Sequence, residues 1–194
     1  MITDQGKTLT LFCDLCSEHG SAWTLVTSFS KKNRVMEEFL TTPLSVDASL
    51  NEVIPNWNSY RLSRKHMLEI SQESTHWRFT CSYPDYNVDY RDYARASLDA
   101  MNPLVYNDSG ACTQMEYVDV RGNSCADCSA AWWQNSAKLE AFHLDSSVDT
   151  CDFDGREGSV KSEDNFGYYV TVNTKFRCSV SETSTTNFWL GGYL

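Results

Sequence analysis

Residues 9–29 read LTLFCDLCSEHGSAWTLVTSF, and this stretch decides the fold that the sequence predicts. Its two ends, residues 8–13 and 22–29, place apolar side chains at every second position over much of their length, with Trp23 near the start of the second. Alternation of this kind in segments rich in aromatic and β-branched residues is typical of half-buried strands. A polar segment that ends at Gly20 joins them, so we expect a β-hairpin.

The rest of the chain is expected to add strands and two helices to this hairpin. Periodicity and turn residues predict strands at residues 76–83, 115–120 and 188–194, apolar runs at 130–134 and 139–144, a hairpin of 168–172 with 175–180, a strand or a short helix within 85–99, and helices at 31–40 and 61–71. Loops are expected at residues 41–57, 102–110 and 121–129. Ser63 is expected to cap the second helix, with Leu62 and Met67 spaced as a hydrophobic staple.

These elements predict an α+β fold, a twisted, mainly antiparallel β-sheet with a few short helices and long loops. The chain has 194 residues, which suits a single domain at 1–194, with a C-terminal lobe at about 135–194 as an option. Its formal net charge of −10 would repel nucleic acid and anionic membranes. No apolar run approaches the roughly 18 residues of a membrane span. We therefore expect neither nucleic-acid partners nor membrane insertion.

Eight scattered cysteines favour a disulfide framework and an extracellular location. They are Cys13, Cys16, Cys81, Cys112, Cys125, Cys128, Cys151 and Cys178. Their pairing stays open, because eight cysteines allow 105 connectivities. Zinc held by the pairs Cys13–Cys16 and Cys125–Cys128 is an alternative, as is a thioredoxin-type redox role for one of them. The first pair does not open a convincing helix, and more than a hundred residues separate the two pairs.

A secreted protein would carry further sequence signals, of which one is present. Asn107 opens an Asn-Asp-Ser sequon and is a predicted glycosylation site if the chain is secreted. Residues 1–6 are not followed by the apolar segment of a signal peptide. If the protein is secreted, we expect the leader to be missing from this chain.

An acidic segment at residues 143–158 is the candidate metal site. Asp145, Asp149, Asp152 and Asp154 offer the carboxylate oxygens that calcium prefers on a flexible loop. The EF-hand pattern fails because Thr150 stands at its first position. Two interpretations stay open, a calcium loop of another kind and a solvated acidic loop.

Several segments resemble, in order, the fibrinogen C-terminal-like domains, which include intelectin-like and ficolin-like lectins. The similar segments are FCDL (12–15) with GSAWTLV (20–26), YRLS (60–63) with Met67 and Ile70, HWR (76–78), VDYRDY (88–93), Phe142 with Asp145 and Asp149, and NFGY (165–168). The first is similar to the Cys-Asp and Gly-Gly-Gly-Trp-Thr opening of the family, although Gly20 is followed by serine and alanine here. The family's aspartates are spaced differently.

The resemblance implies a disulfide-stapled, fibrinogen-like domain that recognises rather than catalyses. It implies a lectin or pattern-recognition module of innate immunity, binding carbohydrate or acetyl groups near a calcium loop. The hypothesised binding surface adds to the acidic loop the residues Glu163, Asp164, Asn165, Tyr168 and Tyr169. Aromatic planes there would stack on sugar rings, while carboxylates and amides bond hydroxyl groups.

Two other functions are weighed against the lectin. One is a structural or adhesive secreted protein that binds protein partners or forms homo-oligomers, which six tryptophans and ten tyrosines would serve equally well. The other is a hydrolase with a cysteine or serine nucleophile. No local motif supports this second alternative, and we expect no enzyme.

Overall fold

Twelve β-strands and two short α-helices form the regular structure of residues 2–4 and 7–193, the part of the chain that the computed structural model describes. The strands are β1 (Ile2–Asp4), β2 (Lys7–Leu9), β3 (Cys13–Asp14), β4 (Ser21–Ser30), β5 (Ser59–Arg61), β6 (His76–Cys81), β7 (Tyr93–Ser97), β8 (Asp108–Val120), β9 (Asn123–Asn135), β10 (Glu140–Asp145), β11 (Asp164–Asn165) and β12 (Thr185–Tyr193). The helices are α1 (Glu37–Leu40) and α2 (Arg64–Gln72), and single 3₁₀ turns occur at Lys31–Asn33 and Arg177–Ser179.

Ten of these strands form one antiparallel sheet. Their order is β11-β10-β9-β8-β7-β6-β12-β4-β3, and β5 pairs with β4 beside this path. From β6 to β11 each strand pairs with the next in the chain, whereas β12 inserts between β6 and β4. β1 and β2 form a separate hairpin. The described chain is therefore a β-rich α+β fold, and its last strand is a central one.

A cluster of aromatic rings fills the core on one face of the sheet. Its six members, each at most 4 % exposed, are Trp77, Phe79, Trp132, Phe142, Phe166 and Phe188. The rings of Trp132 and Phe142 stack with centroids 4.6 Å apart, and Trp77 meets Trp132 edge to face at 5.0 Å. Phe39 of α1 lines the same apolar space. The rings bury a large apolar area, which is the main stabilising term in a fold of this size.

A buried ion-pair network attaches the opening hairpin to the sheet. The guanidinium of Arg78 on β6 is fully buried and donates to the carboxylates of Asp14 and Glu18. Its planar group lies 4.6 Å from the ring centroid of Trp23 and 5.1 Å from that of Trp189. Burial raises the pKa of Asp14, but hydrogen bonds from Arg78 and Ser17 outweigh it, so the pKa is lowered. The carboxylate is therefore held in its charged form.

The hairpin predicted within residues 9–29 is confirmed, with one change. Cys13 pairs with Thr24 and Asp14 with Trp23, so β3 and β4 are neighbours. The predicted first strand, residues 8–13, is divided between β2 and β3 because Leu9 pairs with Ile2 instead. The sequence showed the alternation but not the change of partner.

Three further predicted elements differ in the structure. The helix predicted at 31–40 is a 3₁₀ turn followed by the single turn of α1. The loop predicted at 121–129 is a two-residue turn followed by β9. The polar residues at the start of β9 do not show the alternation of apolar residues that predicts a strand. The hairpin predicted at 168–180 is irregular chain, in which the buried Asn173 side chain bonds Gly158 and Glu163. Side-chain hydrogen bonds thus replace a strand ladder there.

Most of the other predicted elements are present. The second helix is confirmed as α2, capped by the Ser63 hydroxyl, which accepts from the His66 amide. The strand alternative within 85–99 is β7, and the strands predicted at 76–83 and 115–120 lie in β6 and β8. The predicted terminal strand is β12, and its expected last residue, Leu194, lies outside the described residues. Met1, Gln5 and Gly6 of the N-terminal segment 1–6, which was not expected to be a leader, also lie outside them.

Six of the eight cysteines form disulfides, which is typical of proteins that fold in an oxidising compartment. The pairs are Cys81–Cys178, Cys112–Cys151 and Cys125–Cys128. The last pair is three residues apart on β9, where a regular strand would separate its ends by about 10 Å. Asp127 between them has a φ of 50°, and the Cα atoms are only 6.1 Å apart.

The prediction that Cys13 and Cys16 form disulfides is wrong in this structure, because both are free and exposed. Cys13 lies on the edge strand β3, where its sulfur contacts the hydroxyl of Thr24 at 3.9 Å. Asp14 then accepts hydrogen bonds from the amides of Cys16 and Ser17, which turns the chain. The other six cysteines are already paired.

The Arg78 network generates a stability prediction. We expect Arg78→Met to lower the free energy of unfolding by about 3–5 kcal/mol, because it leaves the Asp14 carboxylate buried without a counter-charge and leaves Glu18 with Arg95 alone. Denaturant unfolding measures the change. Arg156→Met is the matched control, since its side chain is 60 % exposed and its pairs with Asp149 and Asp154 are screened by water. Equal losses in the two variants would contradict the assignment of Arg78 as the buried anchor.

Candidate functional site

Three of the five predicted ligand-binding residues are structural instead. Glu163, Asn165 and Tyr169 are at most 4 % exposed. Glu163 pairs with Arg121 and accepts from the side chain of Asn165. The Tyr169 hydroxyl bonds Thr186 at 2.7 Å. Their polar atoms face the protein, so these three do not form a binding surface.

The other two predicted residues, Asp164 and Tyr168, are partly exposed and lie together at the β10–β11 end of the sheet. The ring of Tyr168 stacks on His143, with centroids 4.9 Å apart and planes 20° apart. Trp133 continues the row on the next strand, 6.4 Å from His143 and inclined by 16°. Asp164 Oδ1 is 3.8 Å from His143 Nε2.

Two glycines allow these rings to stack. A Cβ atom at Gly110 would stand 2.6 Å from the Trp133 ring, so only glycine lets the indole lie over β8. A Cβ atom at Gly167 would stand 2.2 Å from the carbonyl oxygen of Phe142, so glycine lets the chain approach β10. That approach brings Tyr168 against His143.

The site also contains buried polar atoms without partners. Within the described residues, Trp133 Nε1 and Glu140 Oε2 are buried and make no hydrogen bond. Buried polar groups in native proteins are nearly always satisfied, so exceptions call for an explanation. Glu140 is close enough to Asp164 to raise its pKa. We call Trp133, Glu140, His143, Asp164 and Tyr168 the aromatic–carboxylate cluster.

Proton affinities within the cluster are inverted. Burial raises the pKa of Asp164 to about 7, and the negative charges of Asp145, Glu140 and Glu163 add to the effect. Burial lowers the pKa of His143 to about 4, against a smaller opposing effect of its bond to Ala141. The Ala141 carbonyl accepts from Nδ1 at 2.7 Å, which leaves Nε2 of the neutral ring as an acceptor. Between about pH 4 and 7 the pair thus presents a carboxylic acid beside a neutral imidazole.

The four aspartates predicted to bind calcium are not gathered into a metal site. In the described part of the chain, no three His, Cys, Asp or Glu side chains are placed to hold a metal ion. Asp149 and Asp154 bond Arg156, Asp152 bonds Ser129, and Asp145 accepts from the amide of Ser147. Arg156 thus offsets the charge of two of the four aspartates, Asp149 and Asp154.

Asn107, the predicted glycosylation site, lies in an exposed position just before β8. Its Oδ1 accepts from the amide of Ser136, and its exposed position is compatible with a glycan. Glycosylation at this residue stays a prediction.

Sequence reasoning missed Trp133 and Glu140. The pair Trp132-Trp133 carried a usable signal, because neighbouring residues on a strand face opposite sides and one of the two rings must leave the core. Trp132 is fully buried, whereas Trp133 is half-buried. No local pattern indicated Glu140, because its effect is on the pKa of Asp164, which lies 24 residues away in the sequence.

The chain matches no protein-family model, no curated protein and no solved structure in comparisons with all three. Within the described residues, no helix is long and apolar enough to cross a membrane. The cluster is therefore interpreted from its own geometry.

The inverted pair generates a prediction about pH. Between about pH 4 and 6.5, the unfolded chain protonates the histidine and the folded chain protonates Asp164 instead, so the two linkages cancel. In Asp164→Asn only the contribution of His143 remains. We expect the free energy of unfolding of this variant to rise with pH across this window, by at most about 1.4 kcal/mol per pH unit. His143→Gln exposes the opposite term, a stability that is present at low pH and lost as pH rises through about 7.

Thermal or denaturant unfolding from pH 4 to 8 measures both slopes. Asp154→Asn is the control, because its pKa of about 2 lies below the window. If stability depends on pH in the same way in Asp164→Asn and His143→Gln, the pKa values of the two groups are not shifted in opposite directions, and the interpretation is wrong.

Proposed function

We propose that this protein is an extracellular recognition module whose ligand site is the aromatic–carboxylate cluster, and that it binds carbohydrate. The observation that carries the proposal is the combination of partly exposed rings with polar groups that lack partners. Tyr168 and Trp133 are half-buried, and the unpartnered Trp133 Nε1 and Glu140 Oε2 lie in the same cluster. Sugars combine apolar C–H faces with hydroxyl groups that both donate and accept, which suits such a surface.

The charge states in the cluster support the same ligand class. Between about pH 4 and 7, Asp164 is an O–H donor and His143 Nε2 is an acceptor. Neutral donors and acceptors favour a neutral polyol or an acetylated sugar over a strongly charged ligand. The three disulfides favour a secreted protein, in which such ligands are encountered on other cells and in the matrix.

We further propose a fibrinogen C-terminal-like domain as the fold. Support comes from the two halves of the opening motif, since Asp14 and Trp23 are register partners in neighbouring strands. The order of a helix followed by the strand HWR, here α2 followed by β6, also agrees with that family. The site we propose differs from the one that the resemblance implied, because it excludes the four loop aspartates.

A glycan array tests the proposal, run with calcium and again with a chelator. We expect a glycan signal in both conditions, and we expect Tyr168→Ala to weaken the best hit about tenfold, the value of one aromatic contact. Tyr86→Ala is the matched control, as Tyr86 is 47 % exposed and lies outside the cluster. An array without signal in either buffer would contradict the proposal. A signal that is lost with the chelator would show that binding requires calcium, contrary to the site proposed.

An adhesive, self-assembling protein is the second candidate, favoured by the free thiols. Leu15 is 69 % exposed between Cys13 and Cys16, beside the edge strand β3. Two copies would join when one thiol of each is oxidised to a shared disulfide, while oxidised glutathione is reduced to two molecules of glutathione.

Light scattering in a glutathione redox buffer tests this second candidate. We expect a dimer that a reductant converts to monomer and that the variant Cys13→Ser/Cys16→Ser does not form. Cys16→Ser alone identifies which thiol reacts. A wild-type protein that stays monomeric under oxidising conditions would contradict self-assembly.

A further inference from the structure

A cavity of about 500 Å³ beside the β8–β9 turn has an unusual charge for this protein. Its walls are Arg91, Arg121, Gly122, Asn123, Glu157, Gly158 and Lys175. Three of these seven residues are cationic and one is acidic, although the chain has 26 acidic and 16 basic residues. The cavity is therefore a local reversal of the overall charge.

Arg121 is the buried member of this set. Its side chain is only 3 % exposed, and its two terminal nitrogens donate to the carboxylate of Glu163 and the carbonyl of Gly155. The third donor, Nε, is buried and has no partner among the described residues. It lies 3.8 Å from the position that a Cβ atom of Gly158 would take, and Gly158 is itself a cavity wall. An N–H group in this position is unsatisfied by the protein.

The other two cations are exposed and make no ion pair with a described residue. Arg91 precedes the buried Asp92 in the loop before β7, and its backbone amide donates to Oδ1 of Asp89. Lys175 follows Asn173, whose side-chain oxygen accepts the backbone amide of Lys175 and so holds that segment in a turn. Both backbones are thus fixed, while the charged ends remain free to close on a ligand.

Two of the groups around the cavity are already bonded within the protein, while the exposed Glu157 also lies in its wall. The Asn123 side chain donates to the carbonyls of Val120 and Glu157. The carboxylate of Glu163 is buried against Arg121, so it screens that residue but does not face the two exposed cations. A solvated cationic rim would explain Arg91 and Lys175 alone. Buried Nε atoms without partners also occur on Arg34, Arg61, Arg64 and Arg78, and Arg121 is the member of this group that lines the cavity.

We propose that this cavity is a binding site for a single oxyanion group of the sulfate or phosphate class. Arg91 and Lys175 supply the charge that attracts it, and Arg121 Nε supplies the directed hydrogen bond. The site involves no residue of the aromatic–carboxylate cluster, so this proposal can be tested independently of the proposed carbohydrate site.

The test measures binding of sodium sulfate, sodium phosphate and a heparin octasaccharide by calorimetry at 20 mM and 150 mM NaCl. We expect at least one of them to bind at one site per chain and to weaken as salt rises. We expect Arg91→Gln/Lys175→Gln to raise the Kd about tenfold or more, since each lost charged contact is worth that order. Both residues are exposed, and a thermal melt verifies that the variant is folded.

Lys32→Gln/Lys161→Gln is the matched control, because it removes two exposed charges that do not line the cavity. Tighter binding of heparin than of its desulfated form, with little binding of free ions, assigns a sulfated glycan as the source. Binding of the free ions alone assigns an inorganic oxyanion. An equal loss in both double variants, or no binding by wild type at 20 mM NaCl, overturns the proposal.

Discussion

The fully buried guanidinium of Arg78 is the interaction on which the remaining structure depends. Charge in the interior is costly unless it is paired, so Arg78 requires Asp14 and Glu18 to dock against β6. Of the two flanking indoles, Trp189 comes from the neighbouring strand β12 and Trp23 from β4, one strand further along the sheet. One residue thus joins the opening loop, the second strand of the hairpin and the C-terminal strand.

A second buried arginine pair organises the other end of the sheet. Arg121, in the β8–β9 turn, pairs with Glu163, which also accepts from Asn173 and from the amide of Val160. These bonds hold long polar segments that have almost no regular structure. Asp164 and Tyr168 follow directly in the chain, and their positions against His143 depend on this anchor. Both proposed binding sites therefore adjoin one ion pair, the cluster on one side and the cationic cavity on the other.

How far the sequence could predict these features depends on the distance between the interacting residues. Periodicity correctly predicts β4, β6 and α2, because each buries a face whose spacing is visible locally. It failed for β9, where polar residues and the left-handed Asp127 interrupt the pattern. Of the five residues predicted to form a binding surface, Asp164 and Tyr168 lie in the aromatic–carboxylate cluster, whereas Glu163, Asn165 and Tyr169 are buried. Carboxylates and tyrosines look alike in a sequence whether they face the solvent or a buried partner.

The sequence by itself determined that this is a β-rich, disulfide-containing chain with an acidic surface and an opening hairpin. Those properties follow from composition and from contacts between near neighbours. Only the tertiary structure decided that Cys13 and Cys16 stay free, that Glu163 is buried against Arg121, and that Trp133 joins His143 and Tyr168. Each of these depends on pairs that are brought together by the strand order. The strand topology determines which partner a charged or aromatic side chain contacts, and local periodicity in the sequence does not predict that topology.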